Sequence, residues 1–213
     1  MLTDAEGMLA VRLARGAIAH ALGGGPGEGI LPALPPVFAE PRGAFVTLRR
    51  HPSGALRGCI GYPLPVLPLE EAIVRAAVAA AVEDPRFRPI RAAELSAIAV
   101  EVSVLSVPVP LPSGSPEAAR AAIRVGRDGL ILDARGTSGL LLPQVAVEQG
   151  WSVDEFLDGV SEKAGLPPGA WRLPSARLRR FEAQVFAEVA PGGEVRPEPT
   201  EVTPGGAPAG PRR

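Results

Sequence analysis

The chain has 213 residues, 46% of them hydrophobic, and a formal net charge of −1. That length can bury a well-packed core in one large domain or two small ones, and the charge offers nucleic acid no general cationic surface. No stretch approaches the roughly 18 consecutive apolar residues of a membrane span, and the first residues carry Asp4 and Glu6 where a signal peptide would be basic. The single cysteine, Cys59, cannot form an internal disulfide and fits a reducing cytoplasm. One Cys and two His also argue against an all-protein zinc site, although carboxylate-rich sites stay open; no metal or other cofactor is expected. Of the 22 basic residues 21 are arginine, with Lys163 the exception, and Asn is absent. This looks like a GC-rich coding bias, which makes arginine the default cation and weakens any argument from arginine clusters.

In chain order, residues 3–22 read as an amphipathic helix capped by Thr3 or Asp4, with Leu9, Leu13, Ala17 and Ala21 as its apolar stripe. Residues 43–50 and 55–62 read as a β-hairpin around the turn His51-Pro52-Ser53-Gly54. Positions paired across that turn sum to about 105, which sets Val46 opposite Cys59. The alanine-rich segment 69–82 is a helix with Glu70 and Glu71 in its first turn, and Asp84-Pro85 ends it. Residues 97–106 alternate as a strand, with Ile98, Val100, Val102 and Val104 on one face.

The second half begins with a loop at 108–114 and a short helix at 115–122. Residues 123–134 suggest a second hairpin turning at Arg127-Asp128 or Asp128-Gly129. A short strand at 139–143 leads through Pro143 into a helical turn. Ser152 and Glu155 form a capping box for a helix over 152–166. A last strand covers 176–189, with Phe181, Ala183, Val185 and Ala187 on one side. Residues 191–213, rich in Pro and Gly, are expected to be a disordered tail. Helices and strands mix without strict βαβ alternation, which predicts an α+β fold with a mixed β-sheet flanked by helices.

The chemistry centres on Leu56-Arg57-Gly58-Cys59-Ile60-Gly61. On a strand Arg57 and Cys59 share a face, so the guanidinium would favour a thiolate. Gly58 and Gly61 would let a ligand or another backbone approach closely. The alternative is a small buried hydrophobe in a tight corner, and the residues alone do not choose. A papain-like Cys–His dyad is not expected. His51, at the turn, stands about five residues or ~16 Å along the strand from Cys59, and a dyad needs roughly 3 Å. His20, near the end of the first helix, reads as a surface residue. Asp84 and Arg86 lie on a loop that can reach a cleft, or they form a helix-end ion pair. Glu101 faces solvent or pairs with an arginine such as Arg57. Gln144 either binds a ligand or caps a turn, and Trp151 reads as core.

These stretches together resemble the AMMECR-domain family. The hallmark LRGCIG stands intact at 56–61, with DPRF at 84–87, LLPQVA at 141–146 and FLDGVSEKAGL at 156–166. The resemblance implies an α+β fold whose larger part is built from both chain ends, with a smaller part inserted. It covers residues 1–190 as one AMMECR-type domain in which two subdomains are possible. Many prokaryotic members look like one of a trio with a Memo-type protein and a radical-SAM protein, the AmmeMemoRadiSam grouping. That implies a modification pathway acting on a small molecule or peptide, without naming the reaction. Many relatives carry a cysteine where this chain has Ser161, which speaks against a shared two-cysteine role. Two functions follow as expectations. One is a pathway component with Cys59 and Arg57 in a catalytic or contact role and Gly58, Gly61, Asp84, Arg86 and Gln144 lining the cleft. The other is a non-catalytic docking or scaffolding module. A nucleic-acid-binding role is disfavoured by net charge and by an aromatic content of 4%.

Overall fold

The computed structural model describes residues 1–24, 33–112 and 115–199. The chain divides into two compact units. The larger joins Met1–Leu105 to Gln184–Glu198, and the smaller, Ser106–Ala183, is inserted between them. This is the α+β arrangement that the resemblance implies.

The larger unit opens with α1 (Asp4–Ala21). Thr3 N–H donates to the Glu6 carboxylate at 2.8 Å, and Glu6 N–H donates to the Thr3 hydroxyl at 3.3 Å. Together they satisfy two orphan donors of the first turn. The buried stripe is Gly7, Ala10, Val11, Ala14 and Ile18, not the expected Leu9, Leu13, Ala17 and Ala21. Small residues win because the neighbours come close: a Cβ on Gly7 would lie 2.2 Å from the Phe186 ring. Leu9 and Leu13 pack at the margin of the core, partly buried.

β1 (Ala44–Arg50) and β2 (Leu56–Tyr62) form the expected hairpin. α2 (Leu69–Val82) packs on both strands through buried alanines such as Ala76, Ala77 and Ala80. β3 (Ile98–Leu105) buries Ile98, Val100, Val102 and Val104, as its alternation predicts. β1 pairs antiparallel with β2 on one side and β3 on the other, which leaves β2 at a sheet edge.

In the smaller unit β4 (Val109–Pro110) is followed by α3 (Pro116–Ala121), β5 (Asp128–Ala134) and β6 (Thr137–Leu141). The expected hairpin over 123–134 is corrected. Asp128 is fully buried and accepts the Arg124 N–H at 2.7 Å, so 124–128 closes as a turn. The hairpin lies one step later, between β5 and β6, around Arg135 (φ 51°) and Gly136 (φ 79°). Two consecutive left-handed residues match the twist of flanking strands. α4 (Pro143–Glu148) starts at its proline, and α5 (Val153–Lys163) carries the expected Ser152–Glu155 capping box. Ser161 is fully buried. Its hydroxyl donates to the Leu157 carbonyl at 3.0 Å and accepts the Trp171 N–H at 3.3 Å.

β7 (Arg177–Glu188) serves both units, residues 177–183 in the smaller and 184–188 in the larger. Its buried residues are Leu178, Phe181, Phe186 and Glu188. The expected single face of Phe181, Ala183, Val185 and Ala187 therefore does not hold along its length. Phe186 is drawn in by Gly7, and Glu188 by the Arg15 guanidinium and the Val100 N–H, the latter at 3.0 Å. β8 (Val195–Glu198) pairs antiparallel with β7, and Val195 joins the larger unit's core. The expected disorder from residue 191 thus fails for 195–198, because one apolar residue and an open strand edge suffice to seat them. The rest of that stretch, 200–213, lies outside the described residues.

Candidate functional site

The observed register sets Thr47, not Val46, opposite Cys59. The one-residue difference comes from a bulge. Leu48 pairs with Gly58 and Arg49 with Leu56, so Arg57 is the extra residue. Cys59 is half-buried, and its Sγ accepts the Thr47 hydroxyl at 3.3 Å. Its N–H and C=O both point away from β1, off the edge of the sheet.

Asp84 and Arg86 close that edge. The Cys59 N–H donates to Asp84 Oδ2 at 2.9 Å, and Arg86 Nη2 donates to the Cys59 carbonyl at 3.1 Å. Arg86 grips the same carboxylate with Nε and Nη2 at 2.9 and 2.7 Å, a bidentate pair, and its own N–H donates to Asp84 Oδ1 at 3.1 Å. One carboxylate and one guanidinium thus replace the missing neighbour strand at a single residue. α2 delivers Asp84 to this place, because the helix ends at Val82 and Glu83 caps it.

The arginine beside the cysteine is therefore Arg86. Its side chain is 53% exposed and lies 5.5 Å from the centre of the Phe87 ring. The Asp84 carboxylate, and in smaller measure the Cys59 side chain, hold its proton more firmly than usual. Arg57 is only 5% exposed and faces Glu94, with Nη2 at 3.4 and 3.5 Å from the two carboxylate oxygens. Its Nε and Nη1 are buried without a hydrogen-bond partner. Glu94 sits below its usual range, first because it accepts the Arg91 N–H and then because of Arg57 and Arg50. Glu101 pairs with Arg49 at 3.1 Å.

The two glycines serve packing. A Cβ on Gly58 would lie 2.1 Å from the Ala80 carbonyl oxygen, and one on Gly61 2.2 Å from the Phe45 ring. Gly58 lets α2 lie against β2, which brings Asp84 within reach of Cys59. Gln144 belongs to the smaller unit and is exposed on the first turn of α4. His20 and His51 are exposed. Trp151 is partly buried and packs on the smaller unit's core. Thr47 and Glu94 escape sequence reasoning, since a bulge is needed to bring each to its partner and no local pattern marks it. Among the described residues no group of three or more His, Cys, Asp or Glu could hold a metal ion, and no helix is long and apolar enough to cross a membrane.

Asp84 is held far below the usual carboxylate range, first by the Arg86 side chain and then by the Cys59 and Arg86 N–H groups, against the opposing effect of burial. A folded-state value below the unfolded value of about 3.9 means the carboxylate stabilises the fold above that pH and loses its contribution as pH falls below it. Asp84→Asn should therefore cost about 2–3 kcal/mol at neutral pH. The gap to wild type in urea unfolding should shrink steadily below about pH 4. A gap independent of pH would show that the charge on Asp84 is not what holds Cys59.

A two-part α+β chain whose inserted unit interrupts the larger one, with a cysteine clamped at a sheet edge by an Asp-Pro-Arg loop, defines a narrow class. A family model, AMMECR1, matches residues 11–186, and the chain belongs to that family. It is 47% identical to protein MJ0810 of Methanocaldococcus jannaschii over 92% of this chain and 96% of that protein. It is 48% identical to protein PF1979 of Pyrococcus furiosus over 93% and 95%. The crystal structure of protein PH0010 from Pyrococcus horikoshii superposes with a TM-score of 0.78 at 46% identity, covering 93% of this chain and 98% of that one.

Proposed function

We propose that the chain is the AMMECR-type component of a small-molecule or protein modification pathway. It acts with a Memo-type protein and a radical-SAM protein, and the Cys59 cluster is where it meets its substrate. The reading rests on one observation: the half-buried Cys59 holds a half-exposed guanidinium at its own carbonyl, on a backbone fixed by Asp84 and Arg86. A fixed backbone presents both groups in one geometry, as an anionic small molecule or peptide group would need. Arg57, turned to Glu94, supports the site from behind.

A second reading, a non-catalytic protein-binding or scaffolding module, is favoured by two further observations. Asp84 and Arg86 each give one hydrogen bond to the edge strand, and their other three join them to each other, so the pair serves to close that edge. Leu64 and Val66, just past β2, are 39% and 71% exposed.

Reconstitution with purified Memo-type and radical-SAM proteins separates the two. On the first reading Cys59→Ser and Arg86→Gln bind the partners within about two-fold of wild type but abolish turnover of the assembled set. On the second, Leu64→Asp with Val66→Asp weakens binding about ten-fold or more, and Cys59→Ser has no effect on either readout. Binding and turnover unchanged in all three variants would remove the cluster from both readings.

A further inference from the structure

The smaller unit carries a cavity that the Cys59 cluster does not use. Its volume is about 810 Å³, well inside the range of small-molecule sites. Leu111, Ala119, Trp171 and Leu178 supply buried apolar walls, and Pro110 and Pro174 stand among them. Prolines have no N–H and a fixed φ, so the walls are stiff and poor in backbone donors. Polar recognition therefore falls to side chains.

The charged lining is one-sided. It comprises Arg172, Arg177, Arg179 and one carboxylate, Asp133. Arg179 is paired with Asp133 at 2.7 Å. Arg172 lies 4.2 Å from the centre of the Trp171 ring and pairs with Asp154 at 3.4 Å. Arg177 is exposed, and its side chain makes no hydrogen bond or ion pair among the described residues. A second cavity of about 400 Å³ shares Asp133 and Arg177 with the first and adds Arg135 with the hydroxyls of Thr137, Ser138 and Ser175. Arg135 is likewise without a partner among the described residues. It is also the one non-glycine residue with a positive φ among them, 51°, at a turn position that favours Gly or Asn. The β5–β6 turn thus presents an arginine at the second cavity.

We propose that these neighbouring cavities, which share Asp133 and Arg177, bind an amphipathic organic anion. Its apolar body lies against Trp171 and Leu178, and its carboxylate or phosphate head meets Arg177 and Arg135. The two guanidinium groups have no carboxylate of their own, so an anion gains where a cation of the same shape is repelled. This site is independent of the Cys59 reading, and neither stands or falls with the other.

The test uses the full chain, isotope-labelled, with Trp171 followed by NMR through its indole N–H and Trp151 as internal control. Four probes share one body: 4-phenylbutyrate, 4-phenylbutyl phosphate, 4-phenylbutanol and 4-phenylbutylamine. Both anions should shift the Trp171 signal saturably and bind about five-fold or more tighter than the alcohol, with the amine weakest. Arg135→Gly with Arg177→Gln should bring the anions to the level of the alcohol and leave the alcohol unchanged. The ratio of the two anions then identifies the head group. Wild type gives a check that needs no variant: raising ionic strength from about 0.05 to about 0.5 M should weaken the anions and spare the alcohol. No saturable shift with any probe, an amine that binds as tightly as the anions, or anion affinity indifferent to both salt and the substitutions would each overturn the proposal.

Discussion

A chain ending at Val189 should melt about 5–10 °C below the full chain, because it loses the burial of Val195 and exposes the edge of β7. β8 is only four residues long, includes Pro197 and is bounded by Glu194 and Pro199, so its composition hides its role. Yet Val195 is 9% exposed and belongs to the same core as Ala10, Val100 and Phe186. Burying a valine stabilises by about 1.5–3 kcal/mol. The four pairs from Val185↔Glu198 to Glu188↔Val195 add to that and hold Glu188 where Arg15 reaches it. Val195→Asp in the full chain should reproduce most of the loss by calorimetry. A truncation that melts within about 2 °C of the full chain would show that β8 contributes nothing in solution.

Gly58→Ala should be at least as costly, about 3 kcal/mol, at the upper end of what overpacking does. The added Cβ meets the Ala80 carbonyl oxygen at 2.1 Å. That atom is backbone, so α2 itself must move. Its C-terminal end carries the chain into Asp84, and the displacement should reach Cys59. The expected result is a lower urea midpoint together with faster hydrogen exchange at the Cys59 amide, which Asp84 accepts in the wild type. Loss of stability with unchanged protection at Cys59 would separate the helix from the clamp.

Most elements were legible because one local signal settles each. The capping box at Ser152, the valine alternation of β3 and the proline opening α4 all stand as read, and of the two candidate caps of α1 Thr3 is the one used. What was lost has a common cause, that long-range packing overrides a local pattern. The stripe of α1 follows the closeness of Phe186, which lies 179 positions beyond Gly7 and so outside any helical window. The hairpin over 123–134 failed because a buried carboxylate, Asp128, closes a turn with Arg124, Arg127 and Arg180 around it. Asp84 and Arg86 were legible as a loop pair, and Cys59 as a strand residue. That they join could not be read, since it depends on Gly58 admitting α2. The choice of arginine was misjudged for a smaller reason. Strand alternation sets Arg57 beside Cys59, and one bulge residue turns it to Glu94.

The central proposal, that the Cys59 cluster meets the substrate with Arg86 and not Arg57 as its arginine, is tested most directly by alkylation with two reagents of one size, anionic iodoacetate and neutral iodoacetamide. Rates are measured at neutral pH on wild type, Arg86→Gln and Arg57→Gln, each shown folded by near-UV circular dichroism. An exposed guanidinium beside the thiol gathers the anion, so the iodoacetate-to-iodoacetamide ratio in wild type should exceed that of glutathione. Arg86→Gln should lower the ratio about three-fold or more, and Arg57→Gln should leave it unchanged. A ratio that falls with Arg57→Gln but not with Arg86→Gln, or a thiol that neither reagent modifies, would contradict the account.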